Sequence, residues 1–168
     1  RKSVDLNRKL IFRNYNSTSK IHYDGIPIMA ANMDGVGTFS MAHSLASKNL
    51  FTCLAKNYDT SELINFFNTD PLISENSAMS IGITSPELKK FTTVKSEVSK
   101  NLKYVCIDVA NGYSERFVDF ISSLRDDYKD IVIIAGNVVT ADQTQELLLN
   151  GADIVKVGIG PGSVCTTR

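Results

Sequence analysis

The sequence predicts an α/β fold, and within that class a (β/α)8 TIM barrel of which the chain holds about the first six βα units. From residue 26 onward, short apolar runs rich in β-branched residues alternate with longer stretches of helical period, which is typical of a parallel sheet with crossover helices. The apolar runs, for example IVIIAG and YVCIDVA, are nearly continuous. Strands that are covered on both faces have this composition, whereas half-exposed strands alternate between apolar and polar residues.

Six strands and five helices are predicted in alternating order. The strands are expected at residues 26–32, 51–56, 78–83, 104–109, 131–136 and 154–159, and the helices at 38–48, 60–67, 86–100, 114–128 and 140–150. The connections are short and contain no linker, so residues 1–168 are predicted to form one partial catalytic barrel domain. Residues 1–25 carry six basic side chains among scattered apolar ones. This segment is predicted to be an entry segment or a hairpin that covers the barrel end.

Capping residues mark the helix boundaries. Ser85-Pro86-Glu87 has the order of an N-cap residue, a proline at the first helical position and an early acid. Asn150-Gly151 supplies a left-handed stop. The pair Lys89-Lys90 is interpreted as part of a solvated helix face.

An open doubly wound sheet is the alternative to the barrel. Such a sheet usually carries a phosphate-binding turn after its first strand, but residues 32–37 read NMDGVG and miss the G-x-G-x-x-G spacing. A complete barrel needs about 250 residues. The chain has 168 and ends directly after a glycine-rich loop, so we expect it to be part of a longer barrel.

Composition disfavours several classes of protein. The 18 basic and 18 acidic residues balance, so no positive field is available for nucleic acid or anionic lipid. The sequence has no run of 18 apolar residues and no charged-then-apolar leader, and we therefore expect a cytosolic protein. The three cysteines form no Cys-x-x-Cys pair, which argues against a disulfide framework or a zinc knuckle. His22 and His43 do not show the spacing of a metal-ligand set, and both are interpreted as structural or surface residues.

The most informative segment is the last, KVGIGPGSVCTTR at residues 156–168. Its glycines allow the backbone to approach a ligand closely, yet it matches neither the dinucleotide fingerprint nor the Walker pattern. Cys165 lies on this loop after a strand, where barrel enzymes place their catalytic groups. It is a candidate nucleophile, and the alternative is a small buried residue, the commoner fate of a free cysteine. Cys53 and Cys106 lie within apolar strands and are interpreted as packing residues.

Two charged residues at strand ends are further candidates. Asp108 ends the fourth predicted strand in a mostly apolar run. A buried carboxylate is costly without a partner, which makes Asp108 a functional candidate on physical grounds. Lys56 ends the second strand, and its alternative interpretation is a solvated loop lysine.

Three segments resemble the catalytic barrel of the GMP reductase family. They are IPIMAANMD at residues 26–34, CIDVANGYSE at 106–115 and the loop at 158–168. The loop is shared with the sister family, the IMP dehydrogenases, whereas the CIDVANGYSE run is similar to the reductase pattern alone. Dehydrogenases commonly insert regulatory modules after the second barrel helix, and here only a short loop at residues 68–76 stands at that point. The resemblance extends over essentially the whole chain.

The resemblance implies a reaction, in which GMP and NADPH give IMP, ammonia and NADP in purine nucleotide salvage. Cys165 would be the nucleophile that forms a thioimidate intermediate, and covalent catalysis of this kind divides one difficult step into two. Thr167 would relay a proton for the departure of ammonia, with a glutamate that lies beyond residue 168 in the family. Lys56 would lie near the reacting amide. The neighbouring residues differ, because Ala55 and Asn57 stand where the family usually has histidines.

The resemblance also implies binding residues and partners. Contacts with NADPH would come from Asp108, Val109, Ala110, Ile159, Gly160, Lys56 and Arg1, with Thr84 as a weaker candidate. Gly160, Gly162, Cys165 and Arg168 would hold a potassium ion, since carbonyl oxygens suit a hard monovalent cation. Ser163 would bind the nucleotide phosphate, and its alternative role is a turn hydroxyl. The implied assembly is a homotetramer, with no nucleic acid or membrane partner.

Two alternative functions stay open at this point. One is an IMP dehydrogenase that has lost its regulatory modules, which the CIDVANGYSE run argues against. The other, from a different class, is an inactive barrel fragment that binds nucleotide or assembles with partners.

Overall fold

The computed structural model describes residues 4–13 and 21–160, and it has eight strands and six α-helices in that part of the chain. The strands are β1 (Arg8–Ile11), β2 (His22–Gly25), β3 (Met29–Ala30), β4 (Phe51–Cys53), β5 (Ser77–Ile81), β6 (Tyr104–Asp108), β7 (Val132–Val138) and β8 (Ile154–Val157). The helices are α1 (Phe39–Ala46), α2 (Thr60–Thr69), α3 (Pro71–Glu75), α4 (Ser85–Val98), α5 (Glu115–Asp127) and α6 (Ala141–Leu149).

Strands β3 to β8 form one parallel sheet in chain order, which confirms the predicted barrel-type α/β fold. An open doubly wound sheet reverses its strand order at a switch point, and this sheet does not. The sheet is curled, because the side chain of Lys156 in β8 reaches Asn32, which follows β3 at the other edge. The six strands therefore enclose part of a barrel interior.

Alternate residues of the strands enter two different cores. Val105 and Ile107 of β6 pack outward with the helices, whereas Tyr104 and Cys106 pack inside the curl of the sheet. β7 repeats this arrangement. Both faces of β6 and β7 are covered by apolar contacts, which is the physical reason for their continuous apolar runs in the sequence.

Strands β1 and β2 pair antiparallel and lie against the amino ends of the sheet strands. The ring of Phe12 meets that of Tyr104 edge-on with a centroid distance of 6.1 Å, and Tyr23 meets Phe51 at 5.8 Å. Phe51 and Tyr104 are the first residues of β4 and β6. The hairpin thus covers the amino ends of the strands and leaves their carboxyl ends open.

Several element boundaries differ from those predicted. The strand expected at residues 26–32 is only two residues long, and the loop expected at 68–76 contains helix α3, which starts at Pro71 with Asp70 as its side-chain cap. Helix α4 is capped by Thr84 rather than Ser85, because Glu87 at the third helical position bonds back to Thr84 and forms a capping box. Short segments of this kind are decided by local hydrogen bonds that composition does not reveal.

A buried ion pair connects α5 to the start of β8. Arg125 pairs with Asp153, and its guanidinium also donates to the carbonyl oxygens of Gly151 and Ile131 at 3.0 and 2.7 Å. The Asp153 carboxylate accepts the backbone N–H of Ile133 at 2.8 Å. Arg13, after β1, lies 3.4 Å from the other carboxylate oxygen. The Asp153 side chain is only 1% exposed, so these donors replace the water that it lacks.

Within the described residues, no helix is both long and apolar enough to cross a membrane. The same part of the chain contains no group of three histidine, cysteine or acidic side chains that could hold a metal ion.

Candidate active site

Four polar side chains from four different strands meet at the carboxyl ends of the sheet. Asp108 ends β6, Lys156 lies in β8, Lys56 follows β4 and Asn32 follows β3. The ammonium of Lys156 donates to Asp108 Oδ1 at 2.5 Å and to Asn32 Oδ1 at 2.8 Å. Lys56 Nζ lies 3.5 Å from Asp108 Oδ2 and donates to the Asp108 carbonyl oxygen at 3.2 Å. This is the end of a parallel α/β sheet where catalytic groups are found.

The register of the strands explains how Lys156 reaches Asp108. Asp108 is paired with Gly136 of β7, and Gly136 is paired with Lys156. The two charged residues are therefore two strands apart, with a glycine between them. A Cβ at position 136 would lie 2.6 Å from both the Cβ and the carbonyl oxygen of Lys156. Glycine leaves the space through which the lysine side chain crosses β7.

The charges in the cluster stabilise one another. Burial alone would raise the pKa of Asp108, but the hydrogen bond and charge of Lys156, with a further contribution from Lys56, lower it below the usual range. Burial alone would lower the pKa of Lys156, but the neighbouring Cys106 sulfur and the hydrogen bond and charge of Asp108 raise it above the usual range. Both groups are accordingly ionised at neutral pH.

The barrel interior directly beneath this cluster is apolar. Cys53 and Cys106 are 1% and 0% exposed, in agreement with their interpretation as packing residues. Cys53 Sγ lies 3.2 Å from Met29 Sδ. Hydrogen bonding with Cys106 and burial raise the pKa of Cys53 well above its ordinary value, so this thiol is neutral.

Lys56 is the most accessible charged group of the cluster, with 41% of its side chain exposed. Its backbone is held in place from α4, because Lys90 Nζ donates to the Lys56 carbonyl oxygen at 3.0 Å and to that of Tyr58. The interpretation of Lys90 as a solvated lysine is therefore wrong. A side chain that satisfies two loop carbonyls cannot be distinguished from a free one in sequence, since its acceptors lie more than 30 residues away.

The segment after β6, which contains Val109 and Ala110, is tied to the segment after β7. Val109 exchanges two backbone hydrogen bonds with Gly136 and Asn137, at 2.9 and 3.0 Å. The hydroxyl of Tyr113 accepts the backbone N–H groups of Val139 and Thr140 at 3.1 and 3.0 Å. Ala110 is exposed at the open end of the sheet.

Beyond β8 the described chain ends with a short glycine-containing turn. Gly158 N–H donates to the Val138 carbonyl oxygen at 2.7 Å, and Asn137 Nδ2 donates to the Gly158 carbonyl oxygen at 3.0 Å. Gly158 and Gly160 have φ values of +135° and +59°, which favour glycine. Ile159 and Gly160 are half-buried there.

Several candidates fall outside the described residues. They are Arg1, Gly162, Ser163, Cys165, Thr167 and Arg168. Their roles in catalysis, cofactor binding, phosphate binding and potassium binding stay predictions. The structure brings Asp108, Lys56, Val109 and Ala110 to one end of the sheet, with Ile159 and Gly160 following β8 at that end.

Thr84 has a local structural role. Its hydroxyl donates to Glu87 at 2.6 Å, and the Glu87 carboxylate also accepts the N–H of Gly82 at 2.8 Å. The threonine caps α4.

Sequence reasoning missed two members of the charged cluster, Lys156 and Asn32. A signal for Lys156 was present, because a lysine inside the run IVKVGIG is as unusual as Asp108 inside its own apolar run. No comparable signal marks Asn32, which lies in a polar stretch. Its part in the site depends on a contact with Lys156, which lies 124 positions further along the chain.

Comparison with known proteins identifies the family to which this chain belongs. The family model of the IMP dehydrogenase / GMP reductase domain matches residues 13–168. The chain belongs to that family. The family resemblance stated from the CIDVANGYSE run and the glycine-rich loop is thereby confirmed.

The chain is also similar to curated members of the family. It is 50% identical over 169 residues to GMP reductase of Caenorhabditis elegans, covering 100% of the chain and 46% of that protein. It is 48% identical over 168 residues to human GMP reductase 2, with 100% and 47% covered. The chain thus spans about half the length of the curated relatives it matches.

Among solved structures, the chain is similar to the crystal structure of inosine 5′-monophosphate dehydrogenase from Legionella pneumophila. The TM-score is 0.78 at 29% sequence identity, and the match covers 100% of this chain and 49% of that one. The curled six-stranded sheet therefore corresponds to part of that enzyme's fold.

Proposed function

We propose that the protein containing this chain is a GMP reductase, which converts GMP to IMP with oxidation of NADPH and release of ammonia. The observation that carries the proposal is the identity of 47–50% with curated GMP reductases of human and Caenorhabditis elegans, over 100% of the chain. The Lys56–Asp108–Lys156 cluster at the carboxyl ends of the strands supplies a charged site where this reaction can occur. The proposal includes a role in purine nucleotide salvage in the cytosol, carried out by a homotetramer.

The proposed chemistry proceeds through a covalent bond to Cys165. Its thiolate adds to C2 of the purine, and the C2–N bond breaks as the amino group leaves with protons delivered through Thr167. NADPH supplies a hydride to C2 when it is bound. The C2–S bond then breaks, and the electron pair returns to sulfur. The balance is GMP, NADPH and two protons giving IMP, NADP and ammonium.

The residues of this chain would act by binding and orientation. Lys56 places a positive charge at the open end of the barrel, where it would lie near the reacting amide and the proton relay. Asp108, Val109 and Ala110 would bind the nicotinamide side of the cofactor, together with Ile159 and Gly160. Arg1 would provide a further contact. The ionised carboxylate of Asp108 is suited to accept hydroxyl hydrogen bonds.

The glycine-rich loop would bind a potassium ion and the substrate phosphate. Gly160, Gly162, Cys165 and Arg168 would hold the cation. Gly160 has the left-handed conformation that favours glycine, and backbone carbonyl oxygens suit a hard monovalent cation. Ser163 would donate to the phosphate of GMP.

The test is an assay of the full-length protein with GMP and NADPH, in which loss of NADPH absorbance and release of ammonia are measured together. Equal amounts of NADPH oxidised and ammonia released support the proposal. The Cys165→Ala variant is the control for background oxidation of NADPH. Oxidation of IMP without reduction of GMP would identify an IMP dehydrogenase instead. Binding of GMP without turnover of either nucleotide would favour the inactive barrel.

A further inference from the structure

We propose that Lys156 is a positioning residue, which orients the Asp108 carboxylate in the site and does not itself touch the substrate. The inference rests on the proposed function for its kinetic test, while its titration test depends only on the geometry of the pair. Three features of the structure support it, namely the contacts of the ammonium, the glycine between the two residues and the distribution of charge.

The contacts of Lys156 hold its ammonium at a fixed place. Its side chain is 24% exposed, compared with 41% for Lys56, and it starts from a strand rather than a loop. Two acceptors hold the ammonium, Asp108 Oδ1 from β6 and Asn32 Oδ1 from the segment after β3. Because these acceptors belong to opposite parts of the curled sheet, the lysine connects them across the barrel interior.

Gly136 makes this arrangement possible. The lysine crosses β7 at the position that is in register with both Asp108 and Lys156. A side chain there would collide with Lys156, since a Cβ would lie 2.6 Å from its Cβ. A strand interior is an unfavourable place for glycine, so a close approach is the physical reason to find one.

Each oxygen of the Asp108 carboxylate has its own cation. Lys156 binds Oδ1, and Lys56 lies beside Oδ2. With Lys156 removed, the carboxylate is free to rotate and to pair fully with Lys56, which would draw both groups out of position. The two lysines and one carboxylate also leave the cluster with a net positive charge, which favours anionic ligands and a nearby thiolate.

The first test measures the ionisation of Asp108 without any assay of activity. The other groups near this carboxylate are Lys56, Asn32 and the thiols of Cys53 and Cys106; the contact with Cys106 and burial raise the pKa of Cys53, whereas the hydrogen bond from Cys53 lowers that of Cys106. Full-length protein with 13C-labelled aspartate carboxyl groups would be titrated by NMR, and the Asp108 signal assigned from its loss in Asp108→Asn. We expect the pKa of Asp108 to lie below its usual range in the wild type and to rise in Lys156→Met. An unchanged Asp108 titration would overturn the proposal.

The second test is kinetic and uses a matched control. Lys156→Met is expected to raise the KM for NADPH by about tenfold, the effect of losing one hydrogen bond to a charged group, while the KM for GMP changes by less than about twofold. Lys156→Arg keeps the positive charge, and its KM for NADPH is expected to lie between those of the wild type and Lys156→Met. The control is Lys103→Met, because Lys103 is also half-buried and ion-paired, to Glu75 at 2.9 Å, but lies at the amino end of β6.

A double substitution separates positioning from direct contact. If Lys156 acts through Asp108, then adding Lys156→Met to the Asp108→Asn variant changes the KM for NADPH little further. Full additivity of the two substitutions would show that Lys156 acts on a ligand directly, and the inference would be wrong. A wild-type protein that does not reduce GMP would contradict the proposed function alone, because the titration of Asp108 would still decide the role of Lys156.

Discussion

A single sulfur atom carries the covalent step of the proposed reaction. We expect Cys165→Ala to abolish turnover of GMP in the full-length enzyme. Binding of GMP should weaken by no more than about 1–2 kcal/mol, because a thiol contributes little to ground-state affinity beside the phosphate contacts. A single-turnover assay measures turnover, and calorimetry measures the affinity for GMP. Retained turnover would exclude the thioimidate.

Lys56 provides a second prediction for a single residue. Its ammonium donates to the carbonyl oxygen of Asp108 at 3.2 Å, and its proposed role is at the reacting amide rather than at the phosphate. Lys56→Ala should therefore lower kcat more than it weakens GMP binding. Lys89→Ala, an exposed lysine of α4, is the control and should leave both unchanged. A normal kcat with normal NADPH affinity would return Lys56 to the role of a solvated loop residue.

Between elements, the close packing of β7 against β8 gives a prediction at Gly136. Gly136→Ala places a methyl group 2.6 Å from Lys156, so the side chain or the strand must move. Overpacking of this kind typically lowers the free energy of unfolding by about 1–3 kcal/mol. Denaturant unfolding of the full-length protein measures this loss. A free energy of unfolding equal to that of the wild type would show that the Lys156 side chain does not need a glycine at position 136 to cross β7.

The connection between α5 and β8 gives a second prediction at this scale. Arg125→Met leaves the Asp153 carboxylate, 1% exposed, without its closest cation. Breaking a buried pair from one side typically costs about 3–5 kcal/mol of the free energy of unfolding. Lys129→Met is the matched control, because it breaks the exposed pair with Asp126, and such surface pairs have little effect on stability. Equal unfolding curves for the two variants would contradict the assignment of a structural role to Arg125.

At the scale of the whole molecule, β3 and β8 are the edges of the parallel sheet. Apolar side chains are exposed at both edges, Ile28 at 61% and Val157 at 65%. Unpaired edges of this kind template association with other chains. Residues 1–168 expressed by themselves are therefore expected to associate or to remain loosely packed. Near-ultraviolet circular dichroism and thermal unfolding test this, and a monomer with fixed tyrosine signals and a cooperative transition would prove the expectation wrong.

Much of the fold was predictable from local signals. The runs around Cys106 and Ile133 are almost wholly apolar because both faces of their strands are buried, and the stretches between them have helical period. The short elements were not predictable to the same degree. Helix α3 and the two-residue strand β3 depend on a few local capping and pairing hydrogen bonds, which leave no pattern in the composition.

The sequence by itself determined that Asp108 is a functional candidate, since an acid within an apolar strand requires a partner whatever the fold. It also determined the family, through the CIDVANGYSE run and the glycine-rich loop. Only the tertiary structure decided what that partner is. Lys156 is 48 residues from Asp108 and 124 from Asn32, and curling of the sheet with a glycine at position 136 brings them into contact. Contacts between residues so distant in sequence depend on strand register and sheet curvature, which no local pattern of residues specifies.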